Sequence, residues 1–352
     1  MALDIKENVS LSEYSAMRVG GSARYLTHVA SEEDVLEAAA FAKDKNLPIL
    51  VIGSGANVLF KDSGFAGLVI ISSIRGFEVI EKNDDGATIK IGAGEDWDET
   101  VEKVVEMDLS GMEAMSMIPG TVGAAPVMNI GAYGQDISLI IESVTAYDLK
   151  EGKFATLHRE DGGFHYRSSR FVGEDKGRFI ITSVVFKLHR NRMKPPFYRD
   201  VDKYFTDKGI TDYSPKAVRD AVIYIRKNKL PDPREIGTNG SFFKNPIVSS
   251  GKWDELVEKF PELDLAEPQW PQKPRWFNDD GTVKIAAARL IELTGIHTHE
   301  ENGVSLWPTQ HLTVVNRGAK SADDVIAFKD KVKGAVKEKF GIELEEEVQI
   351  VG

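Results

Sequence analysis

Apolar and polar positions sort the first half of the chain into short strands and two helices. Residues 23–26, Ala-Arg-Tyr-Leu, alternate with the period of a strand. Ser31 followed by Asp34 has the spacing of a helix N-terminus. The helix behind it is expected to bury Val35, Leu36, Ala39 and Ala42 and to end near Asn46, before Pro48. An apolar strand at 49–52 runs into Gly53-Ser54-Gly55-Ala56-Asn57, and strand-like residues resume at 58–60. Stretches 68–71, 78–81 and 88–91 read as strands broken by Gly and Asp turns. Gly92-Ala93-Gly94 then opens a helix with Trp97, Val101, Val104 and Val105 on one face.

The pattern resumes with strands at 144–147, 153–157 and 178–188, separated by the aromatic and basic loop 164–171. Residues 192–215 form a polar, Pro-punctuated connector. A helix from about Ser214 carries Val218, Val222 and Ile225 towards Arg226 and Lys229. Leu230-Pro231-Asp232-Pro233 stops it and marks the best domain boundary in the chain. Residues 252–260 read as a helix, 262–280 as a loop rich in Pro and Trp, 283–293 as a helix with an alanine-rich face, and 311–316 as a strand. A helix from about 321 to 340 precedes a terminal strand. On that strand Ile342, Leu344, Val348 and Ile350 share one face by period two, and Glu343, Glu345 and Glu347 the other.

Composition narrows the classes. At 352 residues, two or three domains are expected. A formal net charge of -11 argues against a general nucleic-acid or anionic-membrane binder, because nothing supplies the phosphate-neutralising field. No long uncharged apolar run predicts a membrane span, and the first residues lack the regions of a signal peptide. There are no cysteines, so thiolate sites and Cys nucleophiles are excluded. His297 and His299 are the one close histidine pair and read as surface, so no metal is expected.

Two stretches are shaped for a ligand. Residues 116–134 carry four glycines, two prolines and three alanines with almost no charge. Such density lets backbone approach a ligand and present N–H groups, although a turn cluster between core strands explains it equally well. Residues 53–57 lack the third glycine and the helix of a dinucleotide fingerprint. They read as a hairpin turn or, less readily, as backbone that meets a pyrophosphate. The 164–171 loop suits an anion-stacking site or arginines laid over an aromatic shelf.

Together these segments resemble the UDP-N-acetylenolpyruvoylglucosamine reductase (UDP-N-acetylmuramate dehydrogenase) family of bacterial flavoproteins, in its longer, first type. The resemblance runs through the chain. It rests on Met17-Arg18-Val19-Gly20-Gly21, residues 53–59, Ile118-Pro119-Gly120-Thr121-Val122-Gly123-Ala124-Ala125-Pro126 and Asn129-Ile130-Gly131-Ala132-Tyr133-Gly134. Tyr166-Arg167-Ser168-Ser169, Lys229-Leu230-Pro231-Asp232-Pro233 and Gly240-Ser241-Phe242-Phe243-Lys244-Asn245-Pro246 complete it. Ala56, Ser168, Trp276, Arg289 and Glu346 depart from the family pattern, the last standing where proline is usual.

The resemblance implies an α+β chain with a vanillyl-alcohol-oxidase/PCMH-like FAD-binding fold of two lobes plus a C-terminal α+β substrate-binding domain. Lobe 1 would be 1–73 with the terminal strand 348–352, lobe 2 would be 74–230, and the substrate domain 231–347. It implies NADPH-dependent, FAD-mediated reduction of UDP-N-acetylglucosamine-enolpyruvate to UDP-N-acetylmuramate, a cytoplasmic step of peptidoglycan synthesis that serves cell shape and division. The chain would be a monomer with small-molecule partners only. Arg167, Ser241 and Glu347 match catalytic positions, with Glu345 a rival for the last; Tyr198, Arg226, Lys229 and Asn245 match substrate contacts. Flavin contacts are expected from Gly53, Ser54, Gly55, Ala56 and Asn57, and from Ile118, Pro119, Gly120, Thr121, Gly123, Ala124, Asn129, Gly131, Ala132 and Tyr133. An oxidase or dehydrogenase of the same fold acting on another substrate, and a catalytically silent flavin or nucleotide-sugar binder, are the competing expectations.

Overall fold

The structure is a computed structural model that describes residues 3–266 and 273–352. In chain order the elements begin β1 (Ile5–Ser10), β2 (Ser22–Val29), α1 (Glu32–Asp44), β3 (Ile49–Ile52), β4 (Val58–Phe60), β5 (Phe65–Ser72), β6 (Phe77–Lys82), β7 (Gly86–Gly92) and α2 (Trp97–Glu106). Two short strands, β8 (Gly131–Ala132) and β9 (Gln135–Asp136), precede β10 (Ile141–Asp148), β11 (Lys153–His158), β12 (Phe179–His189), α3 (Arg199–Lys208) and α4 (Pro215–Lys229). The remainder is β13 (Gly237–Ser241), β14 (Ile247–Ser249), α5 (Ser250–Lys259), β15 (Arg275–Phe277), β16 (Thr282–Ile285), α6 (Ala287–Thr294), β17 (Glu300–Glu301), β18 (Val304–Trp307), β19 (Gln310–Asn316), α7 (Ala322–Phe340) and β20 (Gln349–Val351).

These form two compact units. The first comprises 1–10, 22–55 and 64–228; the second comprises 11–21, 56–63 and 229–352. In the first unit, a sheet of order β1-β2-β5-β3 has parallel β2–β5 and β3–β5 pairs, which α1 connects as a crossover. Ser31 caps α1 by accepting the Asp34 N–H at 3.1 Å. A five-stranded antiparallel sheet, β11-β10-β12-β7-β6, carries α2. Trp97, Val101 and Val104 of that helix are fully buried with Ile89, Ile91 and Phe186.

In the second unit the order is β13-β19-β18-β17, beside a three-stranded sheet β14-β16-β15 and a parallel pair β20–β4. Phe242, Phe243, Leu290, Ile291, Phe328 and Leu344 fill its core. Gly341, at φ 67°, closes α7 in the left-handed conformation that a side chain resists.

Five sequence expectations change. Leu36 is 44 % exposed and Ala38 takes the buried place, because Leu36 lies next to Val35 and turns off the buried stripe. The polar connector contains α3, which seats Val201 and Phe205 in a small core with Phe197 and Val222. The single helix expected at 283–293 is β16 followed by α6: Val283 and Ile285 alternate inward as strand residues before the helix begins. The terminal strand is regular only over Gln349–Val351. Upstream, Ile342 and Leu344 are buried and Glu343 and Glu345 exposed as expected, but Glu347 is half-buried. Of the loop expected at 262–280, residues 267–272 lie outside the described residues, and 275–277 form β15.

An ion pair at the end of β10 yields the first prediction. Asp148, 5 % exposed at its side chain, accepts from Arg178 Nε at 3.0 Å and Nη2 at 2.7 Å. The Arg178 hydrogen bonds overcome burial and hold the Asp148 carboxyl at about 2. Its folded pKa lies below the unfolded value of 3.8, so its contribution is present above that value and disappears as pH falls through about 2. Asp148→Asn should cost about 2 kcal/mol at neutral pH. It should also flatten the loss of stability in that acid window, as urea unfolding at pH 7 and pH 3 would measure.

Candidate flavin and substrate sites

Residues 53–55 and the 116–134 stretch meet in the first unit. β3 pairs with β5 and β4 with β20, so residues 53–57 are not the turn of a hairpin. Gly53 instead lies against Thr121: a Cβ on Gly53 would stand 2.3 Å from Thr121 Oγ1. Thr121 is anchored by a bridge to Asp96, the N-cap of α2, and the Gly123 N–H bonds Ala93 O at 2.8 Å. Gly120 has φ 144°, and the space where its Cβ would sit is open for 4 Å. Glycine is thus required at 53 by close packing and at 120 by backbone conformation. Gly53→Ala should weaken FAD binding about tenfold through overpacking, measured by flavin titration. Unchanged affinity would mean that the Thr121 side chain gives way and that packing at Gly53 does not shape the flavin site.

Three residues of the 116–134 stretch other than glycine hold positive φ: Met117 at 59°, Asn129 at 44° and Tyr133 at 48°. Each is held by named bonds, as strained backbone must be. The Met117 N–H donates to Asp98 Oδ1 at 2.6 Å, and its carbonyl accepts from Arg226 Nη2 at 3.1 Å. Asp98 also pairs in bidentate fashion with the buried Arg219, at 2.5 and 3.2 Å. Asn129, 4 % exposed, donates to His165 O and accepts the Ser138 N–H. Tyr133 stacks edge-on against Tyr198, with centroids 5.6 Å apart, and bonds Arg226. Burial pushes its hydroxyl up to about 12 against the pull of Arg226, so it stays neutral at pH 7.

Arg167 belongs to this same assembly. His165 and Ser168 exchange backbone hydrogen bonds at 3.0 and 3.1 Å, which makes Tyr166-Arg167 the tip of a tight turn. Arg167 has φ 48°, at a corner usually given to Gly or Asn. Its guanidinium donates to Asn129 O at 3.3 Å and to Gly131 O at 2.5 Å, which fixes its fork beside the small-residue stretch. Ser169 Oγ ties the turn down on Val127 O at 2.6 Å. Ser168, one of the departures, contributes its backbone to the turn.

The second unit brings together Asn57, Ser241 and Glu347. Phe243 and Glu346 form an antiparallel bridge, and the Glu347 N–H donates to Phe242 O at 2.8 Å. Asn57 Nδ2 donates to Glu347 O at 3.1 Å, and the Gln349 N–H returns to Asn57 O at 3.0 Å. Asn239, which the sequence did not single out, donates to Ala56 O and Val58 O at 3.0 and 3.2 Å. Ser241 closes β13 opposite Thr313 of β19. Glu345, the rival for Glu347, is exposed and its Oε2 lies 3.4 Å from Lys244 Nζ. Asn245 Oδ1 accepts the Ala287 N–H at 3.0 Å and so starts α6. The Lys229 carbonyl accepts from Thr309. Among the other departures, Lys284 lies over the Trp276 ring, while Arg289 is buried and bonded to Glu292 and Glu262 O.

The first-unit residues fit a flavin nucleotide. Gly120 leaves open space on its Cβ side, and the backbone beside it at Thr121, Gly123 and Ala124 is only half-buried. Asp98 and Arg219 were missed by sequence reading because their pairing spans 121 residues and follows no local spacing.

The chain is similar to known proteins over its length. Residues 23–158 match the model of an FAD binding domain, and residues 232–351 match the UDP-N-acetylenolpyruvoylglucosamine reductase, C-terminal domain. The UDP-N-acetylenolpyruvoylglucosamine reductase of Ralstonia nicotianae is 36 % identical over 345 residues, covering 97 % of both chains. That of Pseudomonas aeruginosa is 35 % identical over 347 residues, covering 99 % of both. The crystal structure of the corresponding reductase from Thermus caldophilus superposes with a TM-score of 0.67 at 23 % identity over 99 % of this chain and 100 % of that one, which shows a shared fold. The α+β flavoprotein architecture stands. With a full-length relationship and both domain models in order, the chain belongs to the UDP-N-acetylenolpyruvoylglucosamine reductase family and is an FAD-dependent oxidoreductase.

Proposed function

We propose that the chain reduces the enolpyruvyl group of UDP-N-acetylglucosamine-enolpyruvate to give UDP-N-acetylmuramate, with FAD as bound cofactor and NADPH as reductant, in the cytoplasmic synthesis of peptidoglycan precursors. The observation that carries this reading is the ladder that joins Ser241, Phe242 and Glu347 to Asn57, in a chain similar over its length to named reductases. In this reading 1–73 with 348–352 and 74–230 are the flavin lobes, and 231–347 holds the sugar nucleotide.

Bound FAD supplies the hydride chemistry. Reduction at carbon of an unsaturated carboxylate builds negative charge on the carboxylate oxygens, so a fixed cation there lowers the barrier. Arg167 fills that role: its planar fork matches a carboxylate, and its bonds to Asn129 and Gly131 hold it in place beforehand. Ser241 gives the proton to the neighbouring carbon, and Glu347 shares a proton with the developing enol. Arg226 and Lys229 neutralise the UDP diphosphate, while Tyr198 and Asn245 orient the sugar nucleotide.

Purified protein mixed with FAD should show a flavin spectrum that NADPH bleaches. Adding enolpyruvyl UDP-sugar should restore the colour without oxygen. A protein that binds no flavin would sink the flavoenzyme reading, and colour restored equally by buffer would sink the substrate.

A further inference from the structure

Glu347 sits in a segment whose backbone is held on one side by Phe242 and on the other by Asn57. The residue before it has an anchor of its own. Glu346 Oε1 accepts from Lys329 Nζ at 2.7 Å, and both its carboxylate oxygens accept from Lys333 Nζ at 2.9 Å. Lys329 and Lys333 lie four residues apart on α7, one turn above each other, so one face of a single helix presents both ammonium groups. Lys329 is only 9 % exposed and is itself held by Asp330 at 2.7 Å, while the Glu346 and Lys333 side chains are each 22 % exposed. Ion pairs this enclosed hold geometry far better than solvated ones.

We propose that Glu346, gripped by Lys329 and Lys333, is a positioning residue that sets the placement of Glu347. The inference rests on the reading of Glu347 given above. The bridge makes the coupling direct. The Lys244 N–H bonds Glu345 O at 2.9 Å and the Glu347 N–H bonds Phe242 O, so Phe243 and Glu346 face each other between two hydrogen bonds. The Glu346 N–H takes no part in that ladder. Its side chain therefore anchors this turn of chain to α7, and Glu347 is the next residue along.

The experiment uses the FAD-loaded enzyme and follows the two half-reactions separately by flavin absorbance. Glu346→Gln keeps shape and removes the charge that holds both lysines. Re-oxidation by enolpyruvyl UDP-sugar should slow about 10- to 100-fold, as displacement of a reacting group does, with bleaching by NADPH and flavin content unchanged. Glu346→Pro discards both lysine bonds but stiffens the backbone at the same residue without costing a ladder hydrogen bond. It should re-oxidise within about threefold of wild type. Unimpaired re-oxidation in Glu346→Gln, or equal slowing of both half-reactions, overturns the positioning role. So does a proline variant as slow as the glutamine one, which would assign the effect to charge instead of placement. Wild-type enzyme that the enolpyruvyl sugar never re-oxidises overturns the functional reading itself, and with it this inference.

Discussion

Ser241→Ala should bleach with NADPH at close to the wild-type rate and re-oxidise with enolpyruvyl UDP-sugar about 10³-fold more slowly, the usual worth of a positioned proton donor. The split follows from where Ser241 sits. Its backbone closes β13 against β19, and Gly240 before it takes φ 70° with open space on its Cβ side. Alanine satisfies the same backbone, so the Phe242–Glu347 ladder survives and only the hydroxyl is lost. A serine hydroxyl is a weak acid. It can serve only if held at the reacting carbon and re-protonated through its neighbours, which is why loss of the hydroxyl should fall on one half-reaction alone. Stopped-flow absorbance of both halves gives the answer. Equal slowing of the two would make Ser241 a structural residue.

For Arg167 the expectation is that activity and stability part company. Arg167→Lys keeps the charge but loses the fork, and re-oxidation should fall about 100-fold; Arg167→Gly should lose about 1000-fold. The fold should hardly notice the glycine. Losing the bonds to Asn129 O and Gly131 O costs about 2 kcal/mol in total, while glycine at φ 48° recovers about 1 kcal/mol of left-handed strain. A melting temperature within a few degrees of wild type, beside a collapsed turnover, is the expected pair of results. A Lys variant with full activity would show that charge alone suffices, and would remove the bidentate role.

Much of the architecture was legible because the relevant signals are local. The stripe Trp97, Val101, Val104 and Val105 names its own buried face, and Ser31 with Asp34 names a helix start. Errors arose where two periods coincide over a short span. Val283 and Ile285 fit either a strand or the first turn of a helix, and only pairing with β14 and β15 decides for the strand. The helix at 199–208 was hidden in charged sequence because only Val201 and Phe205 of it are fully buried, with Tyr204 packed part-buried against the same core.

By itself the sequence determined the small-residue stretch at 116–134, the glycines at 53 and 55, and the order of motifs that carries the family relationship. Composition and backbone freedom are properties of single residues and their immediate neighbours, so they survive without a fold. The tertiary structure alone decided what those pieces touch. Gly53 is a packing glycine because Thr121 lies against it, and Arg167 is oriented by carbonyls 38 and 36 residues earlier. Glu347 reaches Asn57 across 290 residues. Hydrogen bonds and steric contacts depend on distances in space, and a chain brings such distant residues together only once its sheets have formed.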